Sequence, residues 1–283
     1  MLGELRERAK AFAFEAHKYT KEVDKVRKAL EALATEAAWA DGAQRKRCIK
    51  AIVGASELRA PVLDAFGEAL QQGSEQFASE LRRTFLDALV AEVERRKLAW
   101  QSVGQQPPVL DLAGISVTLD WDKECAALAY GREPLAKVSL VVGEVLSARE
   151  EQIDRLRSVW PGPDVFFAAL DSAYRARAGR EAKRPGERVH LVDLIPELLV
   201  EYELRGLRSP KTIFGRAELA YCLDRLAREG GLEQGQRRLE LGTATGGSTK
   251  DKRQVLFLQA GMGGGQYYLS VCVAPTSGDG GRS

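Results

Sequence analysis

The stretch LGELRERAKAFAFEAHKYTKEVDKVRKALEALATEA, residues 2–37, carries the most regular pattern in this chain of 283 residues. Apolar or small residues recur every seven positions, and a second series follows three residues behind the first, as in the a/d pattern of a coiled coil. The a positions are Leu2, Ala9, Ala16, Val23, Leu30 and Ala37, and the d positions are Leu5, Phe12, Tyr19, Val26 and Leu33. The pattern predicts a long helix that lies along one partner helix.

Two kinds of partner are open for this helix. One is a helix of the same chain, for which the apolar stripe over residues 77–93 is the candidate, and the whole of residues 1–104 then forms a helical bundle. The other is a second coiled-coil chain, either a copy of this one or a different protein. In that case the predicted contact residues are Leu5, Phe12, Tyr19, Val23, Val26, Leu30 and Leu33.

Composition predicts a folded cytoplasmic protein without a membrane partner. The hydrophobic fraction is 45% and the net charge is +2, both ordinary for a globular chain. We expect no signal peptide, because the N-terminus lacks the apolar core of one, and no apolar stretch approaches the ~20 residues that cross a bilayer. Its four cysteines stand far apart in the sequence, which favours reduced, mostly buried thiols over disulfides or a zinc site. The middle of the chain is acidic and the C-terminal part is basic, which points to an anionic partner for the latter.

The helical pattern of the sequence ends at the Gln-Gln-Pro-Pro of residues 105–108, and short strand-like runs follow. Residues 105–188 are predicted to form a small antiparallel sheet followed by two helices, at about 145–159 and 164–177, with Asp164 as the cap of the second. The strand-like runs are residues 109–112, 115–119, 126–130 and 137–141. The predicted fold class is therefore α+β, mostly α.

The last domain is predicted over residues 189–275, with a disordered tail at 276–283. It begins with helices at about 191–204 and 216–228, the second closed by the glycines at 230 and 231. Strand-like runs follow at 238–241, 255–259 and 267–273. The Gly- and Thr-rich segment 242–253 is predicted to be the tip of a hairpin, and its amides, hydroxyls and basic side chains suit contact with phosphate.

Helices followed by a long-tipped hairpin resemble a winged-helix domain, a variant of the helix-turn-helix. The resemblance implies that helix 216–228 enters the major groove and that segment 242–253 is a wing that touches the DNA backbone. The DNA-binding residues implied in this way, with the basic residues at the base of the hairpin, are Arg216, Arg225, Arg228, Arg237, Arg238, Thr245, Ser248, Lys250, Lys252 and Arg253.

Catalytic chemistry has little support in the sequence. Neither His17 nor His190 has a partner that indicates acid–base catalysis, and no Ser or Cys has the context of a nucleophile. Acidic residues 120, 122 and 124 alternate around a turn, where a solvated turn is favoured over a metal site. We therefore predict no catalytic residue, metal, cofactor or small-molecule substrate, although the sequence leaves enzymatic activity open.

These features predict a non-catalytic, bacterial-style DNA-associated protein. It would assemble through its N-terminal helices and hold the phosphates of duplex DNA through its C-terminal domain. The alternative is an adaptor or structural subunit of a larger complex, such as a coiled-coil ATPase, with the winged domain as a protein-docking surface. Convergence of the basic residues on one face favours DNA, whereas an exposed apolar patch favours the adaptor.

Overall fold

A computed structural model of the chain describes residues 17, 20–35, 41–55, 61–207, 214–249, 251–259 and 264–276. Within them the protein has an α+β fold with two antiparallel sheets and is about half helical, which confirms the α+β part of the predicted class. The chain divides into two compact units. The first comprises Met1–Arg96, Leu119–Ala126 and Val138–Val145, and the second comprises Lys97–Thr118, Ala127–Lys137 and Leu146–Ser283.

Among its described residues, the first unit contains three helices: α1 over residues 20–33, α2 (Gly42–Val53) and α3 (Pro61–Arg95). Helix α2 begins where it does because the Asp41 carboxylate accepts hydrogen bonds from the Ala43 and Gln44 amides, at 2.9 and 3.0 Å. These bonds satisfy two of the amides that a helix N-terminus leaves without partners.

Part of the heptad seam packs inside the chain. Val26 and Leu33, two of the predicted d positions, are buried in one cluster with Ala29 and with Ile52 of α2, and Leu30 packs against this cluster. The a position Val23 is 40% exposed. The cluster pairs α1 with α2, while packing of α1 against the predicted stripe at 77–93 stays a prediction and Leu5, Phe12 and Tyr19 lie outside the described residues.

Replacing Val23 by Asp is expected to change the free energy of unfolding by no more than about 0.5 kcal/mol, since the side chain lies at the surface. Sedimentation velocity and urea unfolding of the full chain measure the oligomeric state and the stability. A dimer that Val23→Asp dissociates would instead show that the seam also pairs between chains. Lys28→Asp, another exposed position of α1, is the matched control.

A buried ion pair holds the turn that residues 121–124 form. Arg45 of α2 has no exposed surface, and its guanidinium donates to the carboxylate of Glu124 while lying 4.7 Å from the centre of the Phe77 ring. Asp120 pairs instead with Lys123, at 2.7 Å. The prediction of a solvated turn is thus wrong for Glu124, which is buried because Arg45 compensates its charge.

The first sheet is a meander with the strand order β1-β2-β3-β4-β5. Its strands are β1 (Trp100–Gln105), β2 (Pro108–Leu112), β3 (Ile115–Asp120), β4 (Cys125–Tyr130) and β5 (Glu133–Ser139). Strand β1 was not predicted from the sequence, and β5 begins before its predicted start at residue 137. On β3, Ile115 and Val117 are buried on one face, whereas Ser116 and Thr118 point to the other, as the two-residue period of a strand requires.

Four helices follow: α4 (Val142–Ser158), α5 (Pro163–Arg180), α6 (Ile195–Leu204) and α7 (Arg216–Arg228). Helix α5 is capped by Gly162, so the prediction of Asp164 as its cap is wrong. Helix α7 has the predicted bounds, because Glu218 accepts from the Gly215 amide at its start and Gly230, at φ +72°, follows its end. In the part of the chain that is described, no helix is both long and apolar enough to cross a membrane.

The second sheet is built around its last strand. The strands are β6 (Val189–His190), β7 (Glu233–Gln234), β8 (Arg237–Thr243), β9 (Leu256–Gln259) and β10 (Gly265–Pro275), in the order β6-β10-β8-β7, and β9 also pairs with β10. Tyr268 of β10 faces Thr243 of β8 and Leu256 of β9. Strands β8 and β9 therefore lie along opposite edges of β10.

This topology changes the interpretation of the predicted wing. Segment 242–253 was predicted to be the tip of a hairpin formed by the strands on either side of it. That prediction is wrong, because both of those strands pair with β10 and the segment is a crossover connection between them. We call residues 244–255 the crossover. Glycine and hydroxyl residues suit a crossover loop as well as a hairpin tip, so composition alone did not distinguish the two.

Candidate nucleic-acid interface

The Arg216 side chain, at the start of α7, forms hydrogen bonds to β5 and to the crossover. Its Nε and Nη2 donate to the two carboxylate oxygens of Glu133, each at 2.7 Å. The same guanidinium donates to the carbonyl oxygens of Lys252, Arg253 and Val255 in the crossover. A bidentate pair with three further acceptors occupies the guanidinium, so Arg216 has little capacity left for a phosphate.

Most of the other predicted arginines also have acidic partners. Arg225 pairs with Glu229, Arg237 pairs with Asp171 at 2.7 Å, and Arg238 pairs with Glu233 at 3.3 Å. Among the described residues, Arg228 has no ion pair. Residues 217–224 of α7 are all buried. A helix that is buried on all sides over residues 217–224 presents only its last turn to solvent, which argues against α7 as a recognition helix that enters a groove of DNA.

Three of the exposed cations that have no ion-pair partner among the described residues lie together: Arg132, Lys252 and Arg253. We call them the cationic cluster. They line one hollow of about 290 Å³ together with Glu133, Pro134, Arg216 and Tyr267. Because Arg216 neutralises Glu133, the hollow keeps an excess of positive charge, although the nearby Asp251 is exposed and its side chain accepts from the Arg253 amide.

Two aromatic rings lie close to one member of the cationic cluster, Arg132. The Arg132 guanidinium lies 5.1 Å from the centre of the Phe257 ring and 6.0 Å from that of Tyr267, within the range of cation–π attraction. The two rings meet edge to face at 5.1 Å. Gly265 permits this packing, since a Cβ there would lie 2.4 Å from Phe257 Cζ.

A cavity of about 420 Å³ opens beside the same arginine, and we call it the sheet cavity. Its walls come from one face of the first sheet and from β9. It is lined by Val103, Val109, Asp111, Ser116, Thr118, Ala129, Gly131, Arg132, Phe257, Gln259 and Gly264. Arg132 lines both the sheet cavity and the hollow, so the two lie side by side.

Asp224 of α7 is the most perturbed carboxyl group near these cavities. Burial raises its pKa to about 6, against the lowering effect of hydrogen bonds from the Gln259 amide and the Tyr130 hydroxyl and of the Arg228 charge. The Tyr130 hydroxyl lies 2.9 Å from the carboxylate. Asp224, Arg188, Arg228 and Arg238 lie among the lining residues of a further cavity, of about 710 Å³. These two hydrogen bonds tie α7 to β4 and to β9.

The structure brings together only part of the predicted site. Arg216, Lys252 and Arg253 meet at the hollow, whereas Arg228 and Arg238 line the other cavity. Thr245 is exposed, and the Ser248 side chain and Lys250 lie outside what is described. Arg132 was not predicted from the sequence, where its local signal is an arginine next to the turn glycine at 131.

Comparison of the chain with protein families, with curated proteins and with solved structures gave no match.

Proposed function

We propose that this protein is a non-catalytic DNA-associated protein that holds duplex DNA by its phosphates through the cationic cluster. Lys252 and Arg253 of the cluster belong to the C-terminal winged-helix-like part, and Arg132 belongs to the β4–β5 turn. The observation that carries the proposal is the meeting of Arg132, Lys252 and Arg253 in one hollow, exposed and without acidic partners among the described residues. Arginine and lysine near a duplex release condensed counterions, which supplies sequence-independent affinity.

The order of the elements supports the winged-helix-like part of the proposal. Helices α6 and α7 precede β8 and β10, which pair as antiparallel neighbours. The proposed contact differs from that of a recognition helix, because the DNA lies against the crossover and the β4–β5 turn and not against the buried α7. Assembly through α1 and a location in the cytoplasm complete the proposal.

Replacing Arg132, Lys252 and Arg253 together by Ala is expected to weaken duplex binding by roughly tenfold or more and to flatten the slope of log K against log salt by about one unit for each lost phosphate contact. Fluorescence anisotropy of an arbitrary labelled duplex between about 50 and 200 mM salt measures both quantities. Lys21→Ala/Lys28→Ala/Arg47→Ala removes the same charge from exposed sites in the first unit and is the matched control. An equal loss in both triple variants would leave only a net-charge effect and contradict the proposed site.

A second candidate function is that of a protein adaptor, and one observation favours it. Val200 and Leu204, one turn apart on α6, are 53% and 76% exposed. Exposed apolar side chains on neighbouring turns suit a protein partner. Absence of duplex binding at both salt concentrations would exclude the DNA proposal and favour the adaptor.

A further inference from the structure

We infer that the sheet cavity takes an unpaired nucleobase, so that one nucleotide is held with its phosphate on the cationic cluster and its base in the cavity. The inference rests on the proposed function and deepens it, because it selects DNA with an unpaired nucleotide over a continuous duplex. It follows from the size, the polarity and the position of the cavity.

The volume of the sheet cavity, about 420 Å³, is within the range of roughly 300–1,000 Å³ that small-molecule sites have. A base and its sugar are ligands of that scale. Val103, which is 47% exposed, and Val109 supply apolar wall. An exposed valine beside such an opening is consistent with a surface that a ligand covers.

Polar groups of the wall match the edge of a base. Ser116 and Thr118 lie on the same face of β3, and their hydroxyls have no hydrogen bond among the described residues. The Gln259 side-chain nitrogen donates to the Gly114 carbonyl at 3.2 Å, which leaves its Oε1 as an acceptor. The Asp111 carboxylate accepts from the Gly114 amide at 2.7 Å and has further lone pairs. Donors and acceptors of this kind recognise the Watson–Crick edge of unstacked bases.

Arg132 joins the base site to the phosphate site. Its guanidinium carbon lies 5.1 Å from the centre of the Phe257 ring, while the residue as a whole is exposed. A guanidinium plane backed by an aromatic ring is a surface on which a base stacks. Because Arg132 also lines the hollow with Lys252 and Arg253, a phosphate next to that base meets positive charge. This continuity indicates a nucleotide and not an isolated aromatic compound.

The test compares three labelled ligands of equal length: a single strand of mixed sequence, a strand in which every base is replaced by an abasic residue, and a duplex. Anisotropy at about 50 mM salt is expected to give the single strand roughly tenfold higher affinity than the abasic strand, since stacking and base contacts are absent from the latter. Equal affinity for the single strand and the abasic strand would overturn the inference. If the duplex still binds in that case, the proposed function stands, whereas loss of binding to all three ligands overturns both.

The variant Ser116→Ala/Thr118→Val removes two hydroxyls from the cavity without adding volume. The ratio of affinities for the single strand and the abasic strand is expected to fall toward one. Thr84→Val/Ser158→Ala changes two hydroxyls at exposed helix positions and is the matched control, so a similar fall in that variant would contradict the role of the cavity. Circular dichroism of both double variants establishes that they are folded.

A free nucleotide has the same base and phosphate as a nucleotide of a DNA strand, and a further measurement distinguishes these two ligands. Calorimetric titration with deoxycytidine monophosphate and with the single strand gives both affinities. Tighter binding of the strand identifies nucleic acid as the ligand, whereas equal or tighter binding of the monophosphate identifies a free nucleotide and overturns the preference for unpaired DNA.

Discussion

Replacing Glu124 by Ala is expected to lower the free energy of unfolding by about 3–5 kcal/mol, because it removes the carboxylate that compensates the buried charge of Arg45. Arg45 has no exposed surface, so its guanidinium cannot recover hydration without a rearrangement of the first unit. The attraction between Arg45 and Glu124 need not be large for this result, since the loss of stability comes from the buried guanidinium charge that Glu124→Ala leaves without its carboxylate. Urea unfolding of the full chain, followed by circular dichroism, measures the loss.

Two further variants separate the buried charge from other effects. Arg45→Met/Glu124→Leu removes both charges and is expected to recover most of the stability, as apolar replacements of buried ion pairs often do. Asp122 lies in the same turn as Glu124, and its exposed carboxylate pairs with Arg82 of α3. Asp122→Ala breaks this pair and is expected to lower the free energy of unfolding by no more than about 0.5 kcal/mol. A loss below about 1 kcal/mol for Glu124→Ala would contradict this account of Arg45.

The second large effect is a pH dependence centred on Asp224. Its pKa in the folded protein is about 6, whereas an aspartate in an unfolded chain titrates near about 3.9. The folded protein therefore binds the proton more tightly than the unfolded chain does. The resulting stability is fully present below pH about 4 and is lost as the pH rises through about 6, with a total of up to about 3 kcal/mol at 1.36 kcal/mol per pKa unit.

Asp224→Asn removes this titration and is expected to flatten the curve of unfolding free energy against pH between about pH 4 and 6.5. The measurement is chemical unfolding at closely spaced pH values for both proteins. Asp154→Asn, at an exposed position of α4, is the control and is expected to leave the shape of the curve as it is. Parallel curves for Asp224→Asn and the unaltered protein would show that the carboxyl does not titrate in this range.

Local signals explain which elements were predictable from the sequence. The bounds of α7 were correct because its end is marked by neighbouring glycines. The alternation of apolar and polar residues identified β3, and the proline pair at 107 and 108 indicated the end of the helical segment. Strand β1 was missed because Trp100–Gln105 has no strict alternation and becomes a strand by pairing with β2.

The candidate site was predictable only in part, because its contacts join distant segments. Lys252 and Arg253 were identified from the composition of their segment, but the pairing of Glu133 with Arg216 joins residues 83 positions apart. That pairing is what removes Arg216 from the set of available cations. The heptad pattern, in turn, identified which residues of α1 face a partner, and Val26 and Leu33 are indeed buried, but it did not say that α2 is what covers them.

The hydrogen bonds from Arg216 to the crossover lower the entropy cost of binding a phosphate there. Three backbone carbonyls of residues 252–255 accept from one guanidinium, which is itself fixed by Glu133. The backbone entropy of these residues is therefore lost when the chain folds and not when a ligand arrives. A phosphate that meets Lys252 and Arg253 restricts only two side chains, so more of the attraction remains as affinity than a disordered basic loop of the same composition would retain.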